Sequence, residues 1–427
     1  MYPLILALAL TKCLGGESLA TNINRYLKPF VEEGQISGTL LVARNDQILF
    51  ETSLGMANYE LRVPNSVATR FNVASITKEL TLIALIQEIE AKSLNVDAAL
   101  KTFIPDFPGG DKITILDLLN HESGIPHSVT DDADECNYQT AQSMVALISK
   151  SPKLFAPKTR EVYSSAGYSV LARVLEVLDK APYDDIIRKR ILDPVGMHNT
   201  SSAVSDFFIP DRAESYIRTP NALWPCQPKD YSFLVGAGCH YSTCRDLFKL
   251  LRYIVDGKLG ATVKENLVRG PQSFWNGLTN GSRAFVQYDV SDGVTVIYCG
   301  NTVTGAADTL RQAIPKIVRG EHVAPAARIE PKTFPLSEMQ TAEYVGTYKI
   351  STTDESFKMT ARNGLLILGD TVLVPTAPAH FFAMRDYGEL TTVRDPEGRV
   401  SKLDWHEDGK VVMSLIPLDI RSPVKAG

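Results

Sequence analysis

The chain has few of the features that would tie it to nucleic acid, to metal or to a membrane. Its 49 Asp and Glu residues outnumber 44 Lys and Arg for a formal charge of -5, so no basic surplus points to nucleic acid or an anionic lipid surface. Six cysteines are present (Cys13, Cys136, Cys226, Cys239, Cys244 and Cys299), yet none stands in C-x-x-C spacing, which argues against a zinc site. The histidines never form H-E-x-x-H, and neither a G-x-S-x-G elbow nor a nucleotide-binding loop occurs. Past the N-terminus no apolar run is long enough to span a bilayer. There is no repeat with a period of about 20 to 50 residues and no low-complexity tract. No metal and no cofactor is expected, and the sequence leaves the oligomeric state open.

What is present is a soluble, globular composition. Hydrophobic residues make up 44% and charged residues 22% of 427, a length that suits two domains. The N-terminus stands apart. Residues 3–10 read PLILALAL, and Ser18-Leu19-Ala20 offers small residues for cleavage, so residues 1–20 are expected to be a signal peptide and the protein secreted or periplasmic. No Lys or Arg precedes the apolar run, which keeps open a buried first helix or a misassigned start. Thr11-Lys12 is a poor context for a lipid anchor on Cys13. Without the leader an odd number of cysteines remains, leaving at least one free thiol. Cys226 with Cys239 or Cys244 is the candidate disulfide in an oxidising compartment.

Hydrophobic spacing sets the order of elements. Ile23, Tyr26, Leu27, Phe30 and Val31 recur at helical intervals over 23–33. Strand-like runs at 39–43 and 48–53 flank Asn45-Asp46, which predicts a hairpin. Helical patterns follow at 75–91, 116–119, 141–148, 169–178 and 246–255. Short β-rich runs at 283–288 and 294–299 come next, and a helix from 306 to about 318 closes the region. A hairpin, a helical middle and further strands suit a sheet whose early and late strands pair around a helical insertion. Residues 21–318 form this first domain. Residues 319–336, with Pro325, Pro331 and Pro335, read as a linker. Over 337–427, runs at 344–350, 356–361, 365–368, 371–374, 380–384, 390–393, 400–405 and 410–416 alternate with turns such as Asn363-Gly364 and Asp408-Gly409. That pattern predicts a small antiparallel barrel.

The sharpest chemical feature is Ser75-Ile76-Thr77-Lys78, at the start of an amphipathic helix and after Phe71-Asn72-Val73-Ala74. Residues three apart on a helix share a face, so the Lys78 amine can reach the Ser75 hydroxyl. A serine hydroxyl is a poor nucleophile until a base takes its proton, and a buried lysine can lose its own proton near neutral pH and act as that base. The plainer reading makes Ser75 a helix cap and Lys78 a solvated residue. Tyr163-Ser164-Ser165 opens a second helix. There Tyr163 is either simple packing or a shared base and proton relay, acidified by the Lys78 ammonium. His121 is expected to be a structural hydrogen-bonder.

Several stretches together resemble the serine β-lactamase and penicillin-binding protein superfamily, in its class C, esterase and D-aminopeptidase branch. Residues 71–78 resemble its first motif, and 113–126, with Asn120-His121-Glu122-Ser123-Gly124, its helix-and-turn signature. Tyr163-Ser164-Ser165 stands at its Tyr-x-Asn motif, Pro194-Val195-Gly196-Met197 resembles its Pro-Leu-Gly-Met segment, and Gly236-Ala237-Gly238 with Ser242, Thr243 and Asp246 resembles another. The likeness covers roughly residues 20–318. It implies an α/β (α+β) fold, a β-lactamase/transpeptidase-like antiparallel sheet with a helical subdomain, here followed by a C-terminal lipocalin-like β-barrel.

The resemblance implies that Ser75 attacks a carbonyl while Lys78 and Tyr163 move its proton. The backbone N–H groups of Ser75 and Leu278 would hold the oxyanion, each worth about 3 kcal/mol. Ser165 stands where Asn is usual, which would weaken a hydrogen bond to substrate or to Lys78, and Lys158 where Gly is common. Trp275-Asn276-Gly277 holds the place of Lys-Thr-Gly or His-x-Gly, so Ser165, Trp275, Asn276 and Gly277 are the expected substrate-binding residues. Trp275 carries no charge toward a substrate carboxylate, which argues against penicillins and favours neutral esters or amides. The resemblance thus implies a small-molecule ester, amide or peptide substrate. It leaves open esterase, D-aminopeptidase or amidase, and β-lactamase activity, and also a non-catalytic scaffold keeping the fold.

Overall fold

In the computed structural model, which describes residues 17–205, 208–324, 332–353, 355–369, 371–407 and 409–418, the early and late strands of the first domain do pair. Gly38–Arg44 (β1) and Gln47–Leu54 (β2) form the predicted hairpin about Asn45, which turns with φ +51°. Gln272–Thr279 (β3), Ser282–Asp289 (β4) and Val294–Gly300 (β5) complete an antiparallel sheet of order β3-β4-β5-β1-β2. The hydrophobic pattern alone did not mark β3 as a strand, because Asn276-Gly277 reads as a turn.

The sheet is covered on both sides, which is why β1 and β5 are near-continuous apolar runs. Leu40, Val42, Phe285, Val296 and Tyr298 pack under Leu19–Glu32 (α1) and Ala306–Val318 (α5). On the other face Leu41, Ala43, Ala284, Ile297 and Cys299 meet Thr77–Glu90 (α2) and Cys244–Val255 (α4). The stripe Leu247, Leu250, Leu251 and Ile254 of α4 is buried as its spacing predicts. Between the two halves of the sheet lies the helical insertion, whose Ser165–Asp179 (α3) packs against α2.

One cation ties the two helices. Arg190 bonds Glu88 of α2 and, at 2.5 Å, Asp179 at the end of α3, and both carboxylates are largely buried.

The C-terminal domain is a closed eight-stranded barrel with sequential neighbours: Gly346–Ile350 (β6), Ser356–Arg362 (β7), Leu365–Leu368 (β8), Thr371–Ala377 (β9), His380–Ala383 (β10), Gly388–Arg394 (β11), Val400–Glu407 (β12) and Lys410–Pro417 (β13). β13 closes it by pairing with β6. Tyr348, Met359, Leu366, Leu373, Leu390 and Leu403 fill its interior. It docks on the first domain through Leu365, Val372, Val374 and Met384 against Ile217 and Trp224, and through the Tyr387 hydroxyl, which donates to Gln35 Oε1 at 2.8 Å.

One expectation changes. Among the described residues no disulfide forms, so Cys226 is bridged to neither Cys239 nor Cys244. They sit apart, Cys226 against Gly281 and Cys244 under the sheet, donating to the Thr39 carbonyl at 3.2 Å. The expected leader lies mainly outside the described residues, but Ser18 caps α1, accepting the Thr21 N–H at 3.2 Å. Residues 325–331 of the expected linker also lie outside them. Among the described residues no helix is long and apolar enough to cross a membrane.

Arg190→Ala leaves two buried carboxylates facing each other. It is expected to lower stability by about 3 kcal/mol in urea denaturation, the usual cost of breaking a buried pair.

Candidate active site

The backbone turns sharply to present Ser75. Phe71–Asn72 pairs with His240–Ser242, and Asn72 Oδ1 then accepts the Ala74 N–H at 2.8 Å. Ala74 adopts φ +48°, a left-handed conformation that costs a Cβ-bearing residue about 1 kcal/mol. Ser75 therefore lies in a 3-10 turn, Ala74–Ile76, just ahead of α2 rather than inside it as the helical pattern predicted. β3 passes directly over this turn. A Cβ on Gly277 would overlap the Val73 carbonyl oxygen, so only glycine allows the approach.

Lys78 is buried, 6% exposed, and its Nζ donates to Ser75 Oγ at 3.1 Å, Ser165 Oγ at 3.1 Å and the Ala237 carbonyl at 3.0 Å. Burial lowers its pKa to about 7, opposed in part by Glu79 and Cys239. Glu79 is itself pushed up to about 7, chiefly by burial, so no permanent anion beside Lys78 holds its proton in place.

The segment that carries Ala237 is laced to both helices. Ser169 of α3 donates to Val235 O at 2.9 Å, Thr81 of α2 to Gly236 O at 2.7 Å, and Lys78 to Ala237 O. Gly236 turns with φ +76°, and a Cβ there would lie 2.6 Å from the Tyr168 carbonyl. This is the physical reason for glycine in Gly236-Ala237-Gly238.

The Tyr163 hydroxyl donates to Ser75 Oγ at 2.8 Å. Its ring lies between His121, at 4.6 Å, and His127, stacked at 5.4 Å, with Lys78 Nζ 4.8 Å from its centre. Enclosure raises the phenol pKa, with Ser75 lowering it in part. Tyr163 is thus not acidified as the sequence suggested, and it stays protonated near neutral pH. His121 Nδ1 accepts the Ser164 N–H at 3.1 Å. Burial first, and the Lys78 charge second, lower both His121 and His127 to about 4, so both rings are neutral.

The structure brings Ser75, Lys78, Tyr163 and Ser165 together and corrects two of the other expected contacts. Ser165 keeps a hydrogen bond to Lys78 despite replacing Asn. Trp275 does not line the mouth: it is 3% exposed and its Nε1 donates to the Leu267 carbonyl at 3.2 Å. Asn276 shares a strand face with Phe274, whose ring lies by Phe285 and the Arg311 guanidinium, on the side away from α2. Gly277 contributes by its lack of a side chain. Sequence reasoning missed Asn72 and Gly236 as shapers of the site, although both stand inside motifs it singled out.

One buried group could hold metal by residue type. Asp184, Cys239 and His240 place ligand atoms within 4.8 Å of one another. Burial, with the Asp184 charge second, pushes the Cys239 thiol up to about 12, and burial with Arg188 pushes His240 down to about 3. A thiol that holds its proton so firmly opposes metal binding.

Residues 23–312 match the Beta-lactamase family model. The chain belongs to the beta-lactamase family. This beta-lactamase-family chain is 29% identical over 238 residues to a putative penicillin-binding protein, PbpX, of Bacillus subtilis, covering 55% of this chain and 59% of that protein. It is 24% identical to the teichoic acid D-alanine hydrolase of Staphylococcus aureus, covering 55% and 58%. It therefore spans little more than half the length of the curated relatives it matches. Among solved structures, the D-amino acid amidase of Ochrobactrum anthropi SV3 shares its fold with a TM-score of 0.63 at 18% identity, over 70% of this chain and 99% of that one. A penicillin-binding protein homologue from Pyrococcus abyssi, described as octameric, covers 91% of this chain and 98% of its own, with a TM-score of 0.58 at 19% identity.

The arrangement predicts a lysine that titrates near neutrality. NMR of protein labelled at lysine Cε is expected to show one resonance shifting about pH 7, missing in Lys78→Met. A Lys78 signal titrating near 10.5, the ordinary value, would refute the burial argument.

Proposed function

We propose that this beta-lactamase-family protein is a serine hydrolase that cleaves ester or amide bonds through a Ser75 acyl-enzyme. The observation that carries this reading is the double contact on Ser75 Oγ, from Lys78 Nζ at 3.1 Å and the Tyr163 hydroxyl at 2.8 Å. With its pKa near 7, Lys78 is present as a free amine in a large fraction at physiological pH and takes the Ser75 proton as general base. Tyr163, protonated, relays that proton to the leaving group. This refines the expected sharing of the base role between the two. Ser75 Oγ bonds the substrate carbonyl carbon, the carbonyl becomes an oxyanion, and the backbone N–H groups of Ser75 and Leu278 receive it. The tetrahedral adduct then expels the alcohol or amine, and water, deprotonated by the same lysine, releases the acid.

For the substrate we favour neutral esters and D-amino-acyl amides, the reach of a carboxylesterase or a D-aminopeptidase. The support is Trp275. At the strand position that the family resemblance assigns to a cation, this chain has a buried indole whose N–H is spent on Leu267, so that residue brings no positive charge to a substrate carboxylate. The names of the relatives, a D-alanine hydrolase and a D-amino acid amidase, agree with amide or ester cleavage.

Parallel assays with p-nitrophenyl butyrate, D-alanine p-nitroanilide and nitrocefin test both claims. Turnover is expected on the first two and to be slowest on nitrocefin; dominant nitrocefin hydrolysis would make the protein a β-lactamase. Ser75→Ala is expected to abolish turnover and covalent labelling by a phosphonate, and full labelling of that variant would move the nucleophile elsewhere. The pH dependence has a definite sign. The working form of Lys78 is deprotonated, so kcat/KM is expected to rise through about pH 7 and to fall about tenfold per pH unit below it.

A further inference from the structure

We propose that Glu355, supplied by the C-terminal barrel, is a positioning residue of the Ser75 site, holding the His127 segment against which Tyr163 and the start of α3 are set. The proposal rests on the acyl-enzyme reading above. Glu355 lies in the turn between β6 and β7. Its carbonyl accepts the Ile350 N–H at 2.7 Å and its own N–H donates to Thr353 Oγ1 at 3.3 Å, which orients the residue. Its carboxylate Oε1 accepts the backbone N–H of His127, in the other domain, at 3.1 Å. A carboxylate accepting from a backbone N–H in a half-buried setting makes a charge-assisted bond, stronger than one between neutral groups.

The His127 peptide is gripped from both sides. Its carbonyl accepts the Ala166 N–H at 3.1 Å, while Ser164 Oγ donates to the neighbouring Pro126 carbonyl at 2.8 Å. Ala166 follows Ser165, one of the three acceptors of Lys78 Nζ, and the His127 ring stacks on Tyr163 at 29° between planes. Glu355 therefore bears on both groups that touch Ser75: on Tyr163 through a ring face, and on Lys78 through the first turn of α3. The barrel's main attachments, Trp224 against Val374 and Met384 and Tyr387 on Gln35, lie elsewhere, so the Glu355 contact can be removed without undocking the barrel.

The test compares Glu355→Ala with Glu355→Gln in the full chain. The amide oxygen of glutamine still accepts from His127; alanine has no acceptor. In Glu355→Ala the rate of Ser75 phosphonylation and kcat on p-nitrophenyl butyrate are expected to fall about tenfold, with KM within about twofold, because a misplaced proton-transfer group costs rate rather than binding. Glu355→Gln is expected to recover most of the rate. Amide hydrogen exchange over 163–168 is expected to rise in Glu355→Ala alone, with 244–255 unchanged as a control on global stability. A labelled wild type whose Glu355→Ala variant keeps full rate and full protection overturns the proposal, as does an equal loss in both variants. A wild type that no phosphonate labels overturns the acyl-enzyme reading and this proposal with it.

Discussion

The burial of one lysine nitrogen is the constraint on which the site depends. Taking Lys78 out of water lowers its pKa from 10.5 to about 7, a difference equivalent to about 5 kcal/mol against the charged form. The fold bears that cost with three acceptors drawn from three places: Ser75 on the turn before α2, Ser165 at the start of α3 and the Ala237 carbonyl of a connecting segment. Any movement of one element relative to the others would leave the nitrogen with an unmet bond in a dry setting, so each element is fixed independently.

Those fixings explain much of the surrounding chemistry. Arg190 joins α2 to α3 below the site. Thr81 and Ser169 anchor the carbonyls that precede Ala237. Gly236 and Gly277 remove the Cβ atoms that would hold backbones apart, the first beside Tyr168 and the second where β3 crosses Val73. The double-sided sheet core gives these contacts a rigid base, since β1 and β5 pack helices on both faces. Neutral His121 and His127 wedge Tyr163 in place without adding a positive charge that would further discourage protonation of Lys78.

Much of this was legible in the sequence because it rests on local spacing. A serine and lysine three residues apart at a helix start must share a face, and the hairpin at Asn45, the stripe on α4 and the eight strands of the barrel follow from periodicity and turn residues. The 3-10 turn at Ser75 was not, because it follows from the left-handed backbone at Ala74, which no residue preference of alanine announces. Trp275 was misread for a related reason. Its place in the motif is a matter of sequence, but which way a side chain on an edge strand points depends on the pleat, and the pleat turned the indole toward Leu267.

What the sequence by itself determined is therefore the family, the order of most elements and the cluster Ser75, Lys78 and Tyr163 on which the proposed function rests. Tertiary structure alone decided that the lysine is dry enough to lose its proton near neutral pH and that tyrosine keeps its proton. It also decided that no disulfide joins the described cysteines and that a barrel residue more than two hundred positions from His127 accepts its backbone N–H. The physical reason is common to all four. Spacing along the chain sets which groups share a face, whereas desolvation and through-space contact depend on what other segments bring against that face.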